Sequence, residues 1–173
     1  MFQQIIKHSL LFLFWSFLQV LVINNWDLLN GWMLPQPYIF FILALPFEIP
    51  LALLLLFCMA GGLFIDSFTN TPGMNASALL LIGVFRSWIL KAIAPRDGYE
   101  FGVSASVKSL GIAWFVKYVL ILGAIHHFWL FVLEFFSWQF TLRILVSILL
   151  SLIGTLIIGL IFQFFRAGSL NKR

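Results

Sequence analysis

The chain has 173 residues, 62% of them hydrophobic and 9% charged, against roughly 25% charged in an ordinary soluble domain. Ten Lys and Arg with six Asp and Glu cannot give a fold of this size a water-facing surface, so a soluble globular domain is excluded and the bilayer is the expected solvent. The net charge of +4 then bears on membrane orientation rather than on nucleic acid, and no nucleic-acid partner is expected.

A helix crosses the hydrocarbon core with about 20 apolar residues. The first apolar run, about 9–23, follows Lys7 and His8 and continues into Asn24-Asn25-Trp26-Asp27 with no small-x-small cleavage site, so it reads as a retained span. Residues 24–37 are polar and aromatic with two prolines and suit an interfacial segment. A short second span, about 34–45, is broken by Pro46-Phe47-Glu48-Ile49-Pro50, where prolines remove amide donors and restrict their neighbours. The third span, about 51–65, runs into a turn-rich stretch from Asp66 to Gly73, and the fourth covers about 75–93. A polar loop, 94–109, precedes a fifth span of about 110–133 and a sixth of about 140–165. The expected fold is all-α, one polytopic membrane domain over residues 1–173 with about six transmembrane helices. Cys58, alone in an apolar run, excludes an internal disulfide and reads as a small core residue.

Residues 38–57 admit a second reading, as one span kinked at Glu48, and charge decides between the two. With six spans and both termini in the cytoplasm, Lys7, Arg86, Lys91, Arg96, Lys108, Lys117, Arg166, Lys172 and Arg173 all lie at or snorkel to the cytoplasmic side, and only Arg143 falls outside. With five, the Lys91-to-Lys108 loop is exported against the positive-inside bias. Trp26, Trp32, Tyr38, Trp129 and Trp138 then fall near outer ends, and Trp88, Trp114 and Tyr118 near inner ends.

The stretch from Gly61 to Ala76 is the most informative. Gly61 and Gly62 permit close helix approach, Pro72-Gly73 is a tight-turn dipeptide, and Asn75 suits the N-cap of the fourth span. Asp66 either closes this helix hairpin, accepting bonds from the amides that follow, or anchors a partner or ligand. A second group, His126, His127, Glu134 and Arg143, forms an expected outer-side polar cluster. His127 and Glu134, seven apart, share a helix face, whereas adjacent histidines point about 100° apart and do not easily share one ion. A hydrogen-bonded structural or interface role is favoured there over proton or ligand handling, and a metal least; Arg143 is expected to pair with Glu134. Glu48 is expected to be solvated at a cytoplasmic turn, Lys117 to snorkel, and Arg96, Asp97 and Glu100 to form a mixed-charge cytoplasmic loop.

The run G-L-F-I-D-S-F-T-N-T-P-G-M-N-A-S-A-L, residues 62–79, resembles the signature hairpin of MreD, the rod shape-determining membrane protein of the bacterial elongation machinery. Pro95-Arg96-Asp97-Gly98-Tyr99-Glu100 and the stretch from His126-His127 to Glu134-Phe135-Phe136-Ser137 are similar to the Bacteroidetes-type branch of that family. The first two spans match only as hydrophobic material. The resemblance implies a non-enzymatic inner-membrane protein that binds the scaffold MreC. Through it the protein would support RodA, a class B penicillin-binding transpeptidase and MreB filaments, and so peptidoglycan synthesis and rod shape. It also implies a fold similar to the substrate-binding S-components of energy-coupling-factor vitamin transporters. No cofactor or metal is implied; membrane lipids are expected neighbours, and a homo-oligomer is compatible with this reading.

Two other function classes stand beside it. A solute-binding S-component-like transporter subunit would need an outer pocket between residues 24–37 and the Asp66 loop. An intramembrane enzyme lacks its signatures: the sequence has no G-x-S-x-G, no H-E-x-x-H and no paired intramembrane aspartates. A channel is disfavoured on the expectation that no span carries a regular polar stripe.

Overall fold

The computed structural model describes residues 2–135 and 141–170, with side chains described for 8–135 and 142–166. Trp138, the Phe136-Ser137 pair, Lys172, Arg173 and the side chain of Lys7 lie outside the described residues.

Five helices are long and apolar enough to cross a bilayer, and the protein is an all-α, multi-pass membrane protein. Helix α1 spans Phe2–Phe17 and continues as a π-turn over Leu18–Val22 and a 3-10 turn over Ile23–Asn25. A π-turn shifts the hydrogen-bond ladder and strands carbonyls; the Asn25 amide repairs this by donating to the Val20 and Leu21 carbonyls, each at 3.0 Å. After a 3-10 turn at Pro37–Ile39 comes a single helical turn, α2, Phe40–Leu43. The remaining long helices are α3 (Leu51–Thr69), α4 (Met74–Ala92), α6 (Ile112–Phe135) and α7 (Thr141–Leu170), with a one-turn α5 at Val107–Leu110 before α6.

The long helices close a ring. Gly62 of α3 lies against the backbone of Ala76 in α4. Arg86 of α4 donates to the Tyr118 hydroxyl of α6 at 2.9 Å, and Gly123 of α6 receives Leu152 of α7. Trp15 of α1 packs on Phe162 of α7, ring centroids 4.8 Å apart, and Phe12 of α1 on Phe64 of α3 at 5.4 Å. The outward faces meet lipid. On α7, Leu142, Leu145, Leu149, Ile153, Ile157 and Ile161 recur every three or four residues and are all at least half exposed, the reverse of a soluble amphipathic helix.

What fills the ring is the second crossing. Tyr38, Ile39, Phe40, Phe41 and Ile42 are at most 5% exposed. Phe40 sits against Trp15, Phe115 and Gly159, and Phe41 against Phe12 and Gly61. The segment starts level with the first turn of α4, where Tyr38 meets Asn75, and descends to Arg86, where Leu45 and Pro46 lie. That is about 16 Å along the α4 axis at 1.5 Å per residue. It ends where Glu48 accepts from the Gly102 amide in the loop beyond α4, at 2.9 Å.

Between α1 and α3 the chain therefore runs through the ring as a 3-10 turn and a single α-helical turn, Pro37–Leu43, flanked by irregular backbone, rather than as the full span expected over 34–45. His8 of α1 and Arg166 of α7 line one cavity with Glu48 and Gly102, so these parts of α1 and α7 lie on the side of the 94–106 loop. The opposite face carries the α3–α4 hairpin.

Candidate functional site

Backbone that is not helical survives at membrane depth only where other groups satisfy its amides and carbonyls. The surrounding helices supply those groups. The Leu34 amide donates to Ser151 Oγ and the Gln36 amide to Thr155 Oγ1, both at 2.8 Å. The Pro35 carbonyl accepts from Gln19 Nε2 at 3.3 Å, a buried glutamine inside the π-turn of α1. At the lower end, Tyr118 donates to the Leu43 carbonyl at 3.4 Å. Arg86, 1% exposed, donates to the Leu45 and Pro46 carbonyls while its guanidinium lies 5.7 Å from the Phe47 ring centre. A cation beside the last carbonyls of a helical turn is favourable, because those oxygens carry partial negative charge.

These contacts correct several expectations. Arg86, Tyr118 and Tyr38 do not face outward as interfacial side chains; all three are buried, point inward and hold the crossing. Trp114 is likewise buried, its indole donating to the Ile93 carbonyl at 3.0 Å and to the Tyr99 hydroxyl at 3.2 Å. Helix α7 does carry a regular polar stripe: Ser147, Ser151 and Thr155, four apart and fully buried, extended by Gly159 and Gln163. It faces the crossing rather than an aqueous path.

The hairpin at the top of α3 and α4 is built on Asp66, 5% exposed. Its Oδ1 accepts from Thr71 Oγ1 at 2.9 Å, the Asn75 amide at 3.0 Å and Asn75 Nδ2 at 2.9 Å. Its Oδ2 accepts from the amides of Gly73 and Ala76, both at 3.1 Å. Asp66 thus caps α4 from the preceding helix, placing a carboxylate on amides at and just inside an N-terminus. The expectation that Asn75 is the N-cap fails. Helix α4 starts at Met74 behind Gly73, which takes φ +83°, and Asn75 already lies in the first turn. Pro72 is exposed at the turn, and Asn70 ends α3 in the left-handed conformation.

From this lock a buried chain of hydrogen bonds runs to the ring centre. Asn75 Nδ2 also donates to Thr71 Oγ1, at 2.9 Å, which fixes the amide orientation and leaves Oδ1 to accept from the Tyr38 hydroxyl at 2.8 Å. The single Tyr38 proton is thereby used, so the 2.8 Å contact with His126 Nε2 requires the imidazole to donate. By the same reasoning His127 donates from Nε2 to Thr155 Oγ1 at 3.1 Å, since Thr155 already gives its proton to the Ser151 carbonyl at 2.8 Å.

The expected outer polar cluster therefore separates into two places. His126 and His127 are fully buried structural donors, not groups near water. Glu134 is exposed and lies close enough to Arg143 to feel its charge, while Arg143 lies 5.6 Å from the Trp32 ring centre and 5.3 Å from that of Phe135, in cation–π contact with each. No group of three or more potential metal ligands occurs among the described residues. Gly61 is packed by the Phe41 ring, and Gly154 by Met33 and Pro35, so these small residues receive the chain's own crossing and are not open lateral grooves. Arg96, Asp97 and Glu100 are exposed, as is Lys117, and Cys58 is buried beside Gly83. The outer pocket that a solute-binding reading needs, between residues 24–37 and the Asp66 loop, is occupied by buried Pro35, Gln36, Pro37 and Tyr38.

No protein-family model, curated protein or solved structure matches this chain.

Proposed function

We infer that this protein is a non-enzymatic assembly component of the MreD type, seated in a bacterial inner membrane with both termini cytoplasmic and docking MreC. The observation that carries the reading is how the polar interior is used. Asn75, His126, Ser151, Thr155, Tyr118 and Arg86 direct hydrogen bonds to one segment of this chain inside the ring, and Asp66 locks the hairpin that positions Asn75. An enzyme or carrier needs convergent polar groups turned toward a substrate; a rigid platform needs this arrangement. The resemblance of residues 62–79 to the MreD hairpin supports the family, and the basic residues Lys91, Arg96 and Lys108 at and beyond the end of α4 support the orientation.

In this reading Asp66 is not the contact residue. The hairpin tip offers exposed Ser67, Phe68, Asn70 and Pro72, with Phe68 55% exposed, and the buried carboxylate holds that tip in shape. MreC binding would use the tip together with the outer ends of α6 and α7. RodA, its transpeptidase and MreB would be reached through MreC.

The test is extraction of the tagged full chain from its own membranes in mild detergent, with identification of co-purifying proteins by mass spectrometry. An MreC-like single-span scaffold is expected, reduced by Phe68→Ser and Pro72→Ser, which leave the Asp66 bonds in place. Recovery of an ATPase-driven transporter module instead, or of that scaffold undiminished by both tip variants, would overturn the reading or its docking site respectively.

A further inference from the structure

On the loop side, a cavity of about 640 Å3 lies between α1, α3, the lower half of the crossing, residues 101–104 and the last turns of α7. Its composition changes with depth. The inner walls are Leu11, Phe12, Phe41, Leu53, Phe57 and Gly61, all apolar. The mouth, beside the 101–104 loop, carries His8, Arg166 and Glu48. Toward the hairpin side α1 and α3 meet through Phe12 and Phe17 against Phe64, which roofs the chamber. Below that roof Leu53 and Phe57 are 42% and 41% exposed, so the chamber is open sideways, between the two helices, to the hydrocarbon.

We propose that this cavity is a binding site for one bilayer phospholipid, an acyl chain lying in the apolar chamber and the phosphate at Arg166 and His8. Size separates this occupant from a partner helix. A cavity of this volume lies within the ~300–1,000 Å3 of sites that take a single small ligand, the scale of an acyl chain rather than of a whole helix about 10–12 Å across. Polarity separates it from a water-soluble ligand, whose polar groups would meet few partners on the inner walls. Charge fits as well: Arg166 gives a fork suited to phosphate, and Glu48, lining the same cavity, suits the amine of a zwitterionic headgroup.

The site is independent of the MreC reading, and its test does not involve a partner. Purified full-length protein is delipidated, re-exposed to dioleoyl phosphatidylethanolamine, and examined by native mass spectrometry at collision energies that strip loosely held lipid. One retained lipid per chain is expected for the parent protein and for Leu149→Trp, a control on the lipid-facing side of α7. Ala60→Trp, which places a ring in the chamber from an exposed position on α3, is expected to abolish retention with the protein still monodisperse. Arg166→Gln is expected to weaken it about tenfold, the loss of one charge-assisted hydrogen bond, and covers the case in which Ala60→Trp does not fold. No retained lipid in the parent protein, equal retention in Ala60→Trp, or unchanged affinity in Arg166→Gln would each overturn the proposal.

Discussion

Replacing Asp66 tests whether the hairpin lock is a stability element. The carboxylate accepts from the amides of Gly73, Asn75 and Ala76 and from the side chains of Thr71 and Asn75. In Asp66→Asn one oxygen remains for Thr71 and Asn75, while the new NH2 group faces the Gly73 and Ala76 amides, donor against donor. Two bonds to a charged acceptor are lost, at about 1.5–3 kcal/mol each, so a loss of roughly 3–6 kcal/mol is expected out of a total of about 5–15 kcal/mol. At about 2–4 °C per kcal/mol for a chain of this size, the midpoint falls by about 6–24 °C. Asp66→Ala removes all five bonds and is expected to be at least as damaging. The assay is thermal unfolding in detergent, followed by size-exclusion of the surviving monomer. A midpoint within about 2 °C of the parent for both variants would refute the reasoning, and loss of partner binding in such a variant would return Asp66 to a docking role.

Other perturbations probe other parts of the frame. Gly62→Ala builds a methyl group into the Ala76 backbone, which cannot rotate away, so α3 and α4 must part, with a loss of about 1–3 kcal/mol or more by thermal unfolding. Gly31→Ala, where nothing lies within 4 Å, tests only the cost of its positive φ and should be milder. Thr155→Val keeps the shape but strands the Gln36 amide and the His127 ring. A loss of about 1–3 kcal/mol is expected, with strong coupling to His127→Phe in a double-mutant cycle. Arg86→Lys keeps the charge but not the fork that spans Tyr118 and two carbonyls, and is expected to lower the thermal midpoint nearly as far as Arg86→Met does. A Lys variant with the parent's midpoint would show that charge alone suffices.

The long helices were legible because hydropathy reports them directly: the expected spans 51–65, 75–93, 110–133 and 140–165 fall on α3, α4, α6 and α7. The sixth expected span, 34–45, is not a long helix: five helices are long and apolar enough to cross, and that segment has one 3-10 and one α-helical turn held inside the ring. The Asp66 hairpin was legible as a turn, but capping from a preceding helix is a tertiary arrangement, so Asn75 drew the role that Asp66 holds. Inward-facing Arg86, Tyr38 and Tyr118 were read as interfacial because a polar side chain near a predicted span end fits either surface or core, and depth alone does not separate them. The signal that would have separated them is on α7. Ser147, Ser151 and Thr155 repeat every four residues opposite Leu145, Leu149 and Ile153, a polar stripe that in lipid faces protein.

The broken crossing also constrains how the protein is made. The Leu34 amide finds its acceptor at Ser151, 117 residues further along the chain, and the Gln36 amide finds its own at Thr155, 119 residues along. A growing chain that has delivered only its first hundred residues to the membrane holds a non-helical segment whose amides have no acceptor in lipid. Residues 26–50 must then wait at the aqueous boundary or in the insertion machinery until α7 arrives. The second segment of the ring in sequence is thus completed only by the last helix, whose Ser151 and Thr155 accept from its Leu34 and Gln36 amides.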